Sequence, residues 1–553
     1  MAHDPTPAPV SDRAPADAPA DAPADAPSPR AFERGAALKE ARAAGVEWDI
    51  LIIGGGATGL GAAVDAASRG YKTLLVERDD FAKGTSSRST KLVHGGVRYL
   101  KQGNISLVNE ALRERGRLCA NAPHLVRHLS FIVPSYGWWE GPFYGVGLKL
   151  YDLLAGKMGL KPSRMLSKEK TLSKLPNLNP EDLRGGVMYY DGQFDDARLA
   201  IHLALTAFDH GATLLNACEV VGLLKEGEEV YGARLFDRES GERFEVCARV
   251  VINATGVFVD DVRRLDEPDA EDMVSPSQGV HVVLPGRFLN SQTAIMVPQT
   301  ADGRVLFAIP WYDKLVVGTT DTAVERPSAE PRPLEEELEF LLTHAQEYLA
   351  HPPTRADVLS CFAGLRPLVS AGKGKRTASL SRDHTLHVSR SGLITVTGGK
   401  WTTYRKMAED VIDEAAGLGG LAEEPCRTHD LRLHGWVEGD DEHIIDFRSV
   451  YGADLARVDA LAAEDPALAA PIHERLPYRG AEVVWAARAE MARTVEDCLA
   501  RRTRALLLDA RAALEAAPLV ASLMARELGH GEEWERAQVE SFTALAGGYL
   551  CCQ

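Results

Sequence analysis

What this 553-residue chain has little of narrows its class first. It contains no run of about 18 consecutive apolar residues, so the sequence offers no transmembrane helix and any membrane contact is expected to be peripheral. Its eight cysteines are scattered, with no C-x-x-C pair and no Cys/His cluster at zinc spacing, which points to a reducing compartment and to no metal site. Positive charge is the minority sign: 62 Lys and Arg stand against 79 Asp and Glu, for a net charge of −17. Without a basic stripe there is no footprint for nucleic acid. The first 30 or so residues, with the near repeat APADAPADAPADAPSPR, lack core-forming side chains. They have no apolar segment for a signal peptide and too many acids for a transit peptide, so residues 1–47 read as a disordered Ala/Pro/Asp tail.

What is present begins at Asp49. The run Ile50, Leu51, Ile52, Ile53 reads as a central parallel strand, and Gly54-x-Gly56-x-x-Gly59 follows it directly. Gly54 suits a tight turn, Gly56 close approach of the backbone to a pyrophosphate, and Gly59 close packing of the next helix on the sheet. Ala57 and Thr58 open that helix, whose N-terminal N–H groups and dipole favour an anion. Glu77 ends the second strand, where a carboxylate can accept from an adenosine ribose. Neither FYGVGLKL nor AGKGKR repeats the fingerprint. One dinucleotide, FAD, is therefore expected, with electrons entering from an organic substrate.

Farther along, a Gly/Ser/Thr-rich loop spans 83–96 and a helix is expected over 105–119. The segment FIVPSYGWWEGPFYGVGLKLYDLLAGKMG reads as a strand leading into an amphipathic helix, either packed in the core or facing a membrane or quinone. A helix capped by Asp195 or Asp196 precedes strands over 213–223, 230–236 and 244–252; the last ends in a small-residue turn at Gly256. A sheet-rich block follows over 275–322, and a strand at 393–396 runs into Thr397-Gly398-Gly399-Lys400. The fold class is thus α/β. A discontinuous Rossmann-like FAD-binding domain of the glutathione-reductase/D-amino-acid-oxidase type is interleaved with an antiparallel-sheet substrate domain over 48–430. Residues 431–553, rich in Ala, Leu, Glu and Arg, are expected to form a helical domain.

Six motifs carry a more specific signal: GTSSRSTKLVHGGVRYL (84–100), QGVHVVLP (278–285), IPWYDKLVVGTTDT (309–322), GLRPL (364–368), SRDHTL (381–386) and TGGKWTTYRKMAED (397–410). In this order they resemble the FAD-dependent, respiratory-type glycerol-3-phosphate dehydrogenases. The resemblance is close over 48–430 and looser beyond. It implies oxidation of sn-glycerol 3-phosphate to dihydroxyacetone phosphate by hydride transfer to non-covalent FAD. Electrons would pass on to a membrane quinone from a peripheral position on the inner face of the cytoplasmic membrane, and a homodimer is compatible with it. Use of oxygen instead, as in glycerol-3-phosphate oxidases, or loss of catalysis remain the rival readings.

By the same resemblance Arg98 and Tyr99 hold substrate over the flavin, Arg366 and Lys400 contact its phosphate or hydroxyls, and Arg382 is a further phosphate ligand. A doubly charged phosphomonoester needs such charge-assisted donors. His281 is the candidate base, a role that Arg366 could share, and Arg98 completes the catalytic set. Thr85, Ser86, Ser87, His94 and Gly95 are expected against the pyrophosphate and flavin, and Gly399, Lys400 and Thr402 along its pyrimidine side.

Overall fold

A computed structural model describes residues 32–96, 105–138, 140–155, 160–298, 300, 305–370, 384–439 and 446–551, and these belong to one compact unit. Arg98, Tyr99 and Arg382 lie outside the described residues.

The chain builds two sheets. In the first, the strands Ile394–Gly398, Arg243–Asn253, Glu47–Ile53, Thr73–Val76 and Thr213–Leu215 lie side by side and parallel. The hairpin Cys218–Glu226 and Glu229–Asp237 joins Arg243–Asn253, and His384–Val388 adds an antiparallel edge. Ile50, Leu51 and Ile52 are fully buried because helices cover this sheet: Ala57–Arg69, Asp196–Asp209 and Tyr404–Leu418 share its core. Asp195 caps the second of these, accepting from Arg198 N at 3.0 Å.

Among the described residues the second sheet has ten strands and is antiparallel except where Ala294–Val297 runs parallel to Val126–Ser135. One of its two ten-pair ladders sets Val274–Pro285 against Ser360–Val369, with His281 opposite Phe362 and Ser277 opposite Arg366. The C-terminal helices, chiefly Gly480–Ala489, Ala510–Leu528 and Glu532–Ala546, form a third core into which Val283, Trp311, Val316 and Phe362 of this sheet project.

Two boundaries differ from those read in the sequence. The disordered tail was expected to reach residue 47, yet Arg34–Ala41 is helical. Phe32 packs edge-on against Phe208 at 5.2 Å, and buried Arg34 pairs with Asp237 at 2.6 Å. The partners lie some 175 to 200 residues away, so no local pattern announced them. Residues 419–439, expected to be largely helical past 431, instead form an extended strap without helix, whose backbone is tied down by Asn121, Arg69 and Tyr71 side chains.

His434 pins that strap. Its Nδ1 meets Asp209 at 2.6 Å and its Nε2 meets Asp454 at 2.8 Å. Burial works against the charged ring, but the two carboxylate hydrogen bonds win and raise it to about 9. A raised histidine contributes stability that is complete below its unfolded value near 6.5 and is lost as pH climbs through about 9. Thermal melts from pH 6 to 9.5 are expected to show wild type losing about 1–3 kcal/mol across this window, while His434→Gln, less stable at pH 6, stays flat.

Candidate functional site

The glycine turn has the geometry its sequence requires. Gly54 adopts φ +110°, and a Cβ there would stand 2.7 Å from Ala254 O. A Cβ on Gly59 would come within 1.9 Å of Gly54 O, so the helix could not seat on the turn with any larger residue. Gly56 is the N-cap and supplies no capping side chain. Of the helix's leading donors, Ala57 N is satisfied by Ser86 Oγ at 2.9 Å. The arrangement fits a pyrophosphate: an uncapped helix end beside a bare glycine, with a serine hydroxyl drawn to the same place.

Glu77 does more than the ribose role expected of it. Its carboxylate accepts from Gly55 N at 2.7 Å and from Asp79 N at 2.9 Å, so it braces the turn from below. Burial raises its pKa despite those two hydrogen bonds. Both oxygens keep a lone pair for a ribose hydroxyl.

Loop 84–96 then joins the two sheets. Thr85 Oγ1 donates to Leu365 O at 2.6 Å, next to Arg366, and Thr90 Oγ1 lies 2.9 Å from His281 Nε2. On the other side Trp401 Nε1 donates to Ser86 O at 2.9 Å, and Thr402 Oγ1 bridges the backbone of His94. Gly95 N donates to Tyr151 OH at 2.8 Å, where a Cβ would strike Leu112 and Tyr151. Ser87 is buried, and its carbonyl accepts from both Lys91 Nζ and Arg504 Nη2 at 2.9 Å. Gly256 and Gly399 both adopt left-handed φ, and Thr397 Oγ1 donates to Gly256 O at 3.4 Å.

Arg366 and His281 come together on adjacent strands. The Arg366 guanidinium donates to Thr319 Oγ1 at 3.2 Å and Thr320 O at 3.0 Å, with Asp321 at 3.6 Å. It lies where a Cβ on Gly279 would stand, 2.4 Å from Nη2. His281 is buried and stacked on Phe362, with ring centroids 4.8 Å apart. Burial and then the charges of Lys91 and Arg366 hold it well below 6.5, so the ring is neutral. The base role expected of His281 from the resemblance therefore falls on a ring less basic than a free imidazole. Lys400 is half-buried in the turn that leads into Trp401–Thr403.

The sequence reading missed Thr90, Lys91, Asp196 and Arg504. Lys91 Nζ reaches Asp196 at 2.7 Å and lies over the rings of Trp311 and Phe362, and burial pulls it down to about 7. Thr90 and Lys91 stood inside a quoted motif, but nothing local marks an aliphatic-looking stretch such as STKLV as buried charge.

A family model described as FAD dependent oxidoreductase matches residues 49–405, and one described as the C-terminal domain of alpha-glycerophosphate oxidase matches 393–538. The mitochondrial glycerol-3-phosphate dehydrogenase of Homo sapiens is 43% identical over 528 residues, covering 90% of this chain and 72% of its own. The chain belongs to the FAD-dependent glycerol-3-phosphate dehydrogenases. A solved member of the family, the enzyme from Bacillus halodurans complexed with FAD, is 30% identical and superposes with a TM-score of 0.76 over 94% of this chain and 97% of that one. The L-alpha-glycerophosphate oxidase of Mycoplasma pneumoniae, at 20% identity and TM-score 0.55, shares the fold. In this family member FAD is the cofactor, and the turn at Gly54, Gly56 and Gly59 fits it.

Glu77→Ala removes the acceptor for two buried N–H groups and is expected to lower FAD content well below one per chain, whereas Glu77→Gln, which keeps an oxygen, retains more. Flavin absorbance per folded protein measures both. Equal occupancy in wild type and Glu77→Ala would remove Glu77 from the turn's support.

Proposed function

We propose that this dehydrogenase oxidises sn-glycerol 3-phosphate between His281, Arg366 and Lys400, and returns its electrons to a quinone at a membrane surface that it touches peripherally. The observation that carries the catalytic part is a neutral, buried imidazole held by Thr90 of the loop that also meets the glycine-turn helix, on the strand paired with the one that carries Arg366. Bound, non-covalent FAD supplies the hydride acceptor. The chain's own residues orient the substrate and handle its charge.

Arg366 and Lys400 bind anionic oxygens of the substrate, joined in this reading by Arg98, Tyr99 and Arg382. Arg366 also lowers the cost of forming an alkoxide at the secondary hydroxyl, which suits a weakly basic partner. His281 takes the hydroxyl proton at Nδ1, the ring nitrogen without a hydrogen-bond partner among the described residues, while Nε2–H donates to Thr90 Oγ1 of the loop. The incoming phosphate offsets the positive field of Arg366 and Lys91 and so makes the imidazole more basic when substrate is bound. Thr90 fixes the ring's orientation.

The membrane part rests on the helix Glu140–Ala155. Phe143, Val146, Leu150 and Leu153 follow one helical face and are exposed, Val146 and Leu153 by 74% and 76%. Trp138, just before the helix, is 79% exposed. Of the two readings of this segment, core packing holds for the strand residues Phe131, Ile132 and Val133 and for the opposite helix face, where Leu148 and Tyr151 are buried. An apolar row of this kind suits the boundary between headgroups and acyl chains. Tyr151 on the inner face bonds Gly95, so the outward row and loop 84–96 share one helix. No helix among the described residues is long and apolar enough to cross a membrane.

Arg366→Ala and Lys400→Ala are each expected to lose about 2–5 kcal/mol of transition-state binding, roughly 30- to 4,000-fold in kcat/KM, with FAD retained. Free glycerol should be a poor substrate for wild type, since it cannot use the phosphate contacts. Steady-state kinetics with both substrates checks this; equal efficiency on the two would take these cations out of the site. In liposome flotation, wild type should float and a Val146→Asp/Leu153→Asp variant should stay in solution, with quinone reduction lost and turnover on a soluble acceptor kept. A variant that still floats would shift the contact away from this helix.

A further inference from the structure

The strap 419–439 crosses the helices Ala57–Arg69 and Tyr404–Leu418, and at the crossing it brings a thiol, an imidazole and a carboxylate together. Ligand atoms of Glu409, Cys426 and His429 all lie within 4.8 Å of one another. His429 Nε2 is 3.7 Å from Glu409 Oε1. Cys426 Sγ is 3.1 Å from Oδ1 of Asp65, a fully buried carboxylate that also accepts from Thr428 Oγ1 at 3.2 Å. Tetrahedral zinc bound by sulfur, nitrogen and oxygen at about 2.0–2.3 Å sets its ligands about 3.5 Å apart, so these side chains need close in by only about 1 Å.

We propose that Glu409, Cys426 and His429 bind a thiophilic divalent cation of the Zn2+ type, with the fourth position left to solvent on the side where His429 is partly exposed. The charges suit it. Asp65 is paired with Arg69 at 2.5 Å, and Arg405 is held by Glu114 at 2.6 Å, which leaves a thiolate and the shared Glu409 to balance the metal. Arg405 Nη1, 3.6 Å from Sγ, donates to the sulfur. On binding, the S–H proton leaves to solvent and an S–metal bond replaces it, with no change of oxidation state. His429 is partly exposed and provides the way in.

The site lies outside the catalytic machinery. Its effect is to fasten the strap to the helix Tyr404–Leu418, which begins directly after the Lys400–Thr403 turn. The sequence expectation of no metal rested on the absence of a C-x-x-C pair and of a Cys/His cluster at zinc spacing. Cys426-x-x-His429 is a single short spacing, and its third member arrives from a helix 17 residues upstream.

The test uses the FAD-loaded enzyme, stripped with chelator, incubated with Zn2+ and desalted, with metal counted by mass spectrometry. Wild type is expected to keep one Zn2+ per chain, to melt at a higher temperature with it, and to have Cys426 shielded from iodoacetamide in peptide maps. Cys426→Ser should lose that equivalent with FAD content unchanged, and His429→Gln, at a partly exposed ring, should bind at least tenfold more weakly. Wild type that retains no zinc, zinc that leaves Cys426 open to alkylation, or variants that keep the same equivalent would each overturn the proposal.

Discussion

The carboxylate of Asp196 is the point on which the site depends. It sits at the first turn of the helix Asp196–Asp209, where the helix end already favours negative charge, and it has no access to water. Oδ2 accepts from Ser89 N at 3.0 Å, Ser89 Oγ at 2.7 Å and Lys91 Nζ at 2.7 Å; Oδ1 accepts from Ala197 N and Arg504 Nη2, both at 2.9 Å. Lys91 and Arg504 keep it well ionised against the penalty of burial. A buried charge with its lone pairs this fully used does not tolerate displacement, so loop 84–96 has one place to be.

That constraint passes outward in both directions. Through Thr90 it sets the ring of His281, and through Thr85 the strand that carries Arg366. Arg504 belongs to the C-terminal domain, which contributes a second grip one turn earlier: Arg501 and Arg502 close on Asp80, just after the Glu77 brace, and Lys83 pairs with Glu496 at 2.6 Å. The six-residue π-helical turn Asp497–Arg502 brings Arg501 and Arg502 to bear on Asp80. The C-terminal helices therefore hold the far side of the loop that meets the cofactor turn.

The parallel strand at Ile50, the glycine turn and the helix after it were legible in the sequence, because each residue's task there is local: a φ, a close approach, a strand period. So was the sheet-rich block over 275–322, although nothing in it announced its pairing with the strand that carries Arg366. The buried ions were not. Asp196 and Arg504 are separated by 308 residues and Asp80 and Arg502 by 422, and no periodicity links such pairs. The helix Arg34–Ala41 escaped for the same reason, with Asp237 as its distant partner. His281 was found by its motif, yet its depressed basicity comes first from burial and then from Lys91 and Arg366, all of which only the fold supplies.

Anaerobic stopped-flow reduction of the bound flavin by glycerol 3-phosphate, compared between wild type and Arg504→Met on samples matched for FAD content, tests this dependence most directly. If the loop is held in register from Asp196 and Arg504, the variant should bleach its flavin at least tenfold more slowly while keeping its FAD. A reduction rate within twofold of wild type would show that the loop finds its place without the C-terminal domain, and would contradict the account.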